Sequence, residues 1–310
     1  MKTISYLFTF IVLSLLSSCE KEVKVDLPPH QPKLTINCHL TEGEVPEAIV
    51  SHSLHSMSNS SNFSALTNAE VVLFENGIAI DTLVYFSNTS QGWENYDVGV
   101  FRGNYIIKAG NTYKVQAKQG NYETAYGETL CPGNSIKITE IDLSDIRIDS
   151  SISNSIPGTY DYFRTGKVKF KVSGPSNEIL HYFLSISDED EETSFGIISN
   201  DPIIAGEDYN IGDGGLYPTE KLYFAGRSFT TSTFLTIDLK ESYPYETDLT
   251  DDLIIKLEVE NNDYHEYMKK MNEYEESNYN PFVEMVFLPN NIKGGYGIVS
   301  AKMVYEKIIQ

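Results

Sequence analysis

Little in this sequence can ligate a metal, build a disulfide framework or attract a polyanion. Only three cysteines, six histidines and one tryptophan occur in 310 residues. Basic side chains are scarce: 23 Lys and Arg stand against 44 Asp and Glu, a formal net charge of −21. Nucleic-acid phosphates and anionic lipid surfaces select basic patches, so this balance argues against both as partners. It suits a chain kept dispersed in a crowded compartment. Past the first 16 residues, no apolar run approaches the roughly 20 residues a membrane-spanning helix needs. Catalytic signatures are missing too, with no G-x-S-x-G elbow and no phosphate-binding Walker loop. His265-Glu266 is followed by Tyr267-Met268-Lys269, so the second His of a zinc-protease helix is absent. Gly212-Asp213-Gly214-Gly215 lacks the third Gly at the spacing of a dinucleotide fingerprint.

What the sequence does carry begins at its first residues. Lys2 supplies a short positive start, residues 4–16 are apolar apart from Ser and Thr, and Leu16-Ser17-Ser18-Cys19 follows. This pattern predicts a lipoprotein signal peptide over residues 1–18, with Cys19 as the lipidated first residue of the mature chain. Several acyl chains on one Cys hold firmly where a single chain would not. The lipid is then the expected membrane anchor. Residues 19–32 are charged and Pro-rich, including Leu27-Pro28-Pro29, and read as a tether.

From about Lys33 the pattern is that of strands. Leu34, Ile36, Cys38 and Leu40 alternate with polar residues, as a half-buried strand requires. Val71-Val72-Leu73-Phe74 runs into Asn76-Gly77, a hairpin signal, and Ile78 opens the next strand. Further strands are expected around Tyr105, over residues 112–117 and over 122–130, with turns at Gly110-Asn111 and Gly120-Asn121. Residues 51–64 read as a polar, Ser-rich loop. The fold class is therefore mainly β. Residues 33–134 are expected to form an immunoglobulin-like β-sandwich, and residues 135–310 a second β domain. Cys131-Pro132-Gly133-Asn134 marks the break. In the second region, residues 167–172, 181–187, 222–224, 234–239 and 253–259 read as strands. One helix is expected near 263–278, capped by Asp263. Its Tyr264, Tyr267, Met268, Met271 and Tyr274 recur at helical spacing, a stripe that should pack on the sheet.

Candidate sites are few. Cys38 and Cys131 remain after Cys19 is assigned, too few for a structural zinc site. A Cys38–Cys131 disulfide is feasible in an oxidising compartment and would close a long loop. His52 and His55 stand three apart, with His39 as a conceivable third metal ligand, but chance placement in a polar loop is favoured. Asp188-Glu189-Asp190-Glu191-Glu192 offers carboxylates without the Gly-punctuated spacing of a calcium loop and reads as a solvated hairpin tip. Trp93 and the 21 Tyr suit a sugar platform but equally suit strands. No cofactor is called for.

The C-terminal region carries a resemblance. Asn280-Pro281-Phe282-Val283-Glu284 and Asn291-Ile292-Lys293-Gly294-Gly295-Tyr296-Gly297-Ile298, with the helix before them, resemble a Bacteroidota outer-membrane lipoprotein family known as domain of unknown function 4249. The opening Cys19-Glu20-Lys21-Glu22 and the pair Gly110-Asn111-Thr112-Tyr113 and Gly120-Asn121-Tyr122-Glu123 agree with it. The resemblance implies an outer-membrane lipoprotein usually encoded beside TonB-dependent receptors, and it supplies no catalytic residues. The expected function is a non-enzymatic partner of such a receptor in nutrient capture or uptake. The alternatives are a surface hydrolase acting on glycan or peptide, and a structural or assembly factor of the envelope. Glu20 and Glu22 beside the anchor resemble acidic surface-display signals, which favours the cell surface over the periplasmic face. The glycines should serve positive φ or close backbone approach.

Overall fold

The computed structural model describes residues 31–54, 66–87, 99–133, 136–152, 160–173, 179–188, 196–199, 221–225, 234–243, 253–277 and 286–309. Cys19, His55, Trp93, Glu189 to Glu192 and Asn280-Pro281-Phe282 lie outside them. The described chain is mainly β, with two sheets and one helix near the C-terminus. In order come β1 (Leu34–Thr41), β2 (Glu47–His52), β3 (Glu70–Glu75), β4 (Ile78–Phe86), β5 (Val100–Arg102), β6 (Thr112–Lys118) and β7 (Ala125–Leu130). Then follow β8 (Lys137–Ile152), β9 (Tyr160–Ser173), β10 (Leu180–Asp188), β11 (Gly196–Ile198), β12 (Leu222–Ala225), β13 (Phe234–Tyr243) and β14 (Leu253–Asn261). The helix α1 (Asn262–Ser277) continues directly from β14, and β15 (Tyr296–Ile309) ends the fold.

Eleven strands form one sheet in the order β12-β10-β14-β15-β1-β2-β5-β4-β3-β6-β7, and β11-β13-β9-β8 form a second. β15 is an interior strand of the larger sheet, between β14 and β1. It runs parallel to β1, with Asn37 opposite Ile298 and His39 opposite Ser300, and antiparallel to β14, with Glu260 opposite Lys302. The sheet curls back on itself: Tyr126 of β7 bridges to Lys293 through two backbone hydrogen bonds of 3.0 and 2.8 Å.

Two apolar clusters form the core. One gathers Leu34, Ile36, Leu73, Tyr113 and Val115 with Val299 and Ala301 of β15. The other gathers Val168, Phe170, Tyr182, Leu257 and Val259 with Met303 of the same strand. Successive inward residues of β15 thus serve first one cluster and then the other. Each fully buried side chain of this size contributes about 1.5–3 kcal/mol.

The segment that feeds β15 is held by its own side chains. The Asn291 amide donates to Val299 O at 2.7 Å and accepts from Val299 N at 2.9 Å, imitating a paired strand. Asn290 accepts from Ile292 N at 3.0 Å and donates to the Gly295 carbonyl at 3.3 Å. Gly294 and Gly297 have φ of +76° and +110°. A Cβ on Gly297 would collide with the Ile36 carbonyl, and one on Gly295 with the Leu34 carbonyl. These glycines let β15 lie directly against β1, as expected of them.

Three details correct the sequence reading. Ser51 and His52, expected in the polar loop, belong to β2, where Leu34 pairs with His52. The helix cap is Asn261 rather than Asp263: Asn261 Oδ1 accepts from Tyr264 N at 3.2 Å, because β14 runs to Asn261 and the helix begins at the next residue. β15 itself was not anticipated as a strand. The Asn76-Gly77 turn forms as expected, with φ of 50° and 85°.

Candidate functional site

Alternation in β1, β14 and β15 buries Leu34, Ile36, Cys38, Leu257, Val259, Val299 and Ala301 on one face. The opposite face carries Asn37, His39, Glu258, Glu260, Ser300 and Lys302, and α1 packs across it. This layer is polar, yet Ser300 is fully buried and Glu260 is only 6% exposed.

A cleft of about 350 Å³ opens between the first two turns of α1 and the sheet. Ile49, Val100 and Ile298 form its apolar floor, and Tyr264, Tyr267 and Met268 its helical side. Asn37, His39, Glu47 and Ser300 supply the polar groups. His39 stacks on Tyr264 with ring centroids 4.0 Å apart and planes 19° from parallel. Its Nδ1 lies 2.7 Å from Ser300 Oγ. Burial, aided by Lys302 and opposed by Glu258, pushes the imidazole down to about 4, so the ring is neutral at physiological pH. His39 Nε2 and Asn37 Oδ1 are buried and have no hydrogen-bond partner among the described residues. Glu47 is paired with Arg102 across β2 and β5.

Beside the cleft, a second polar group pins the helix. His181 on β10 and His265 on α1 stack at 3.6 Å, 7° from parallel. The Tyr223 hydroxyl lies 2.6 Å from His181 Nδ1 and 3.4 Å from His265 Nε2, and Asn262 Oδ1 is 3.1 Å from His181 Nε2. Burial lowers His181, and Asn262 and Glu266 partly offset it. Burial, with His181 and Lys269, lowers His265 to about 4. Burial also raises Glu260 to about 7, with Lys302 opposing and Glu258 adding to the rise. Glu258 is bridged by Lys221 at 3.1 Å and Lys302 at 3.7 Å.

Of the residues singled out from sequence, the structure brings His39, Tyr264, Tyr267 and Met268 together. His52 lies at the far end of β1, opposite Leu34, five positions from the His39 level. That is about 17 Å of strand, too far to share an ion with His39. Among the described residues no group of three His, Cys, Asp or Glu is placed to hold a metal. Cys38 and Cys131 are separate, buried free thiols rather than a disulfide, and Cys131 Sγ points at Lys302 O at 3.8 Å. Burial raises both thiols to about 12, with Glu47 adding at Cys38 and Glu42 at Cys131, so neither is nucleophilic in the fold. The helical stripe is half right: Tyr274 is exposed, and among the described residues of α1 the most deeply buried is His265. Asn37, Ser300, His181 and Tyr223 escaped notice, because polar positions on a strand's alternate face read as solvent-facing.

These features define a mainly β protein with a helix-covered cleft on the outer face of its central strands. The family model described as domain of unknown function (DUF4249) matches residues 20–308, and the chain belongs to that family. No curated protein matches the sequence.

Proposed function

We propose that this chain is a lipid-anchored, non-enzymatic partner of a TonB-dependent outer-membrane receptor, serving nutrient capture or uptake at the surface of a Bacteroidota cell. The observation that carries the reading is Leu16-Ser17-Ser18-Cys19 followed by the charged, Pro-rich tether of residues 19–32. An acylated Cys19 fixes the β body to the membrane, and the tether gives it reach toward a neighbouring barrel. The cleft beneath α1 supports the capture half of the reading. It is concave and mostly apolar, with a few converging polar groups, as small-molecule sites generally are.

Co-purification from detergent-solubilised outer membranes tests the proposal. A receptor recovered in stoichiometric amount, and lost with Cys19→Ala, is the expected result. A chain recovered alone that cleaves a glycan or peptide would favour the hydrolase reading. Recovery without receptor or turnover, with envelope defects on every nutrient when the chain is deleted, would favour an assembly role.

A further inference from the structure

We infer that the hydrogen-bonded chain His265–Tyr223–His181 is an acid-operated latch on α1: an added proton breaks it, and the helix lifts from the sheet and opens the cleft. The chain ties three elements together, with His265 on α1, Tyr223 on β12 and His181 on β10. Its hydrogens are ordered by their partners. Asn262 Oδ1 can only accept, so His181 Nε2, 3.1 Å away, carries that ring's hydrogen. In a neutral ring Nδ1 is then a bare acceptor, and the Tyr223 hydroxyl donates to it at 2.6 Å. The Tyr223 oxygen in turn accepts from His265 Nε2 at 3.4 Å. This order holds only while His181 is neutral. A proton on its Nδ1 sets two hydrogens against each other across 2.6 Å, so the Tyr223 hydroxyl must turn away. A proton on His265 instead places a charge in a buried ring stacked 3.6 Å from His181.

Among the described residues, the neighbours offer such a charge little. Glu258 of β14 is already bridged by Lys221 beside β12 and Lys302 of β15. Glu260, which pairs with His181 across β14 and β10, is raised to about 7 by burial and is itself neutral in acid. Tyr264, raised by burial, stays a neutral phenol, and it stacks on His39 of β1, a third buried imidazole. On α1, Asp263 and Glu266 are exposed, so water screens them, while Lys269 opposes a second cation. Burial lowers both rings, His265 to about 4. Each therefore gains a proton when α1 leaves and water reaches it, and acid favours the lifted helix. The inner face of the same strands carries no such group, so the sheet stays closed. Because α1 is one wall of the cleft, its release widens the cleft toward solvent.

The latch goes beyond the receptor partnership and holds or fails without it. Its reporter is Ser300→Cys on β15, since Ser300 lines the cleft beneath α1 and is fully buried. The substitution is made in the full chain bearing Cys19→Ala, and the thiol is trapped with 4,4′-dithiodipyridine, which reacts at acid pH. Rates are scaled at each pH to those of the unfolded chain. Cys38 and Cys131, buried free thiols of the inner core, report opening of the sheet. Trapping of Ser300→Cys should climb as pH falls from 6.5 to 5, by about thirtyfold for each histidine released, while Cys38 and Cys131 stay unreacted. Adding His265→Phe, which keeps the stack but takes no proton, should remove about thirtyfold of that rise. A flat reporter, or trapping of Cys38 and Cys131 in step with it, overturns the latch. An equal rise in folded His265→Phe assigns the opening to His39 and overturns it too. If Ser300→Cys misfolds by circular dichroism, amide exchange of α1 peptides with and without His265→Phe makes the same comparison. Protection kept in acid by His265→Phe supports the latch, and protection lost as in the parent chain refutes it.

Discussion

The two faces of strands β14, β15 and β1 are built from alternating residues of the same backbone, yet they follow different rules. The inner face is Leu257, Val259, Val299, Ala301, Leu34 and Ile36, all fully buried. The outer face is Glu258, Glu260, Ser300, Lys302, Asn37 and His39, covered by a helix that contributes His265, Tyr264 and Tyr267. Apolar burial makes the first face insensitive to pH and demanding of shape. On the second, hydrogen bonds, stacked rings and neutral imidazoles hold α1 in place. The difference separates a rigid scaffold from an attachment that protons or a ligand can alter, which is how α1 can serve as one wall of a cleft.

Mutation should expose this contrast most strongly on the inner face. Leu257→Ala leaves a cavity at the heart of the sheet and should cost about 2–5 kcal/mol in urea unfolding, with a similar loss at pH 5 and at pH 8. A loss that varies steeply with pH would break the distinction.

Acidification should then act on the outer face. His39 and His265 lie near 4 in the fold, and His181 is also lowered from the ordinary 6.5. Groups depressed in this way contribute stability above about 6.5, and that contribution is lost as pH falls toward 4, since the unfolded chain binds the protons more readily. Lys302 and Lys269 sharpen this effect, while Glu258 and Glu266 oppose it. His265→Phe should keep the stack on His181 and flatten the decline in melting temperature between pH 6.5 and 4.5. An undiminished slope in that variant would remove His265 from the account.

Glu260 has the opposite sign. Its folded pKa is raised from 4.5 to about 7, so its neutral form favours the fold below 4.5 and that advantage is lost as pH rises through 7. Glu260→Gln should therefore stabilise the protein at pH 8 by on the order of 1 kcal/mol and change little at pH 4.5. Equal effects at both pH values would show that the carboxylate is better solvated than its burial implies. The smallest effect belongs to the exposed Arg102–Glu47 pair, where Arg102→Ala should shift stability by less than about 1 kcal/mol.

How far the sequence revealed these two faces depends on the interaction that forms each. Inner-face positions announce themselves by alternation, so Leu34 to Leu40 and Lys167 to Val172 read correctly as strands. Local turn chemistry exposed the Asn76-Gly77 hairpin, and helical spacing placed α1 within one residue of its observed ends. β15 was less legible because its parallel pairing with β1 joins residues such as His39 and Ser300, 261 positions apart, without a turn between them. The cap was misplaced because Asn261-Asn262-Asp263 offers three eligible side chains, and only the end of β14 selects among them. The outer face was nearly invisible. A Ser, Asn or His at the polar phase of a strand reads as solvent-facing until something covers it, and α1 is what covers it here.

The most direct test is hydrogen exchange followed by mass spectrometry at pH 7.5 and pH 5, with rates corrected for intrinsic pH dependence. Peptides from α1 (Asn262–Ser277) should lose protection at pH 5 while those from β1, β14 and β15 keep theirs, showing that the helix releases from its polar face before the sheet opens. Helix and strands losing protection together, or an α1 equally protected at both pH values, would contradict the account.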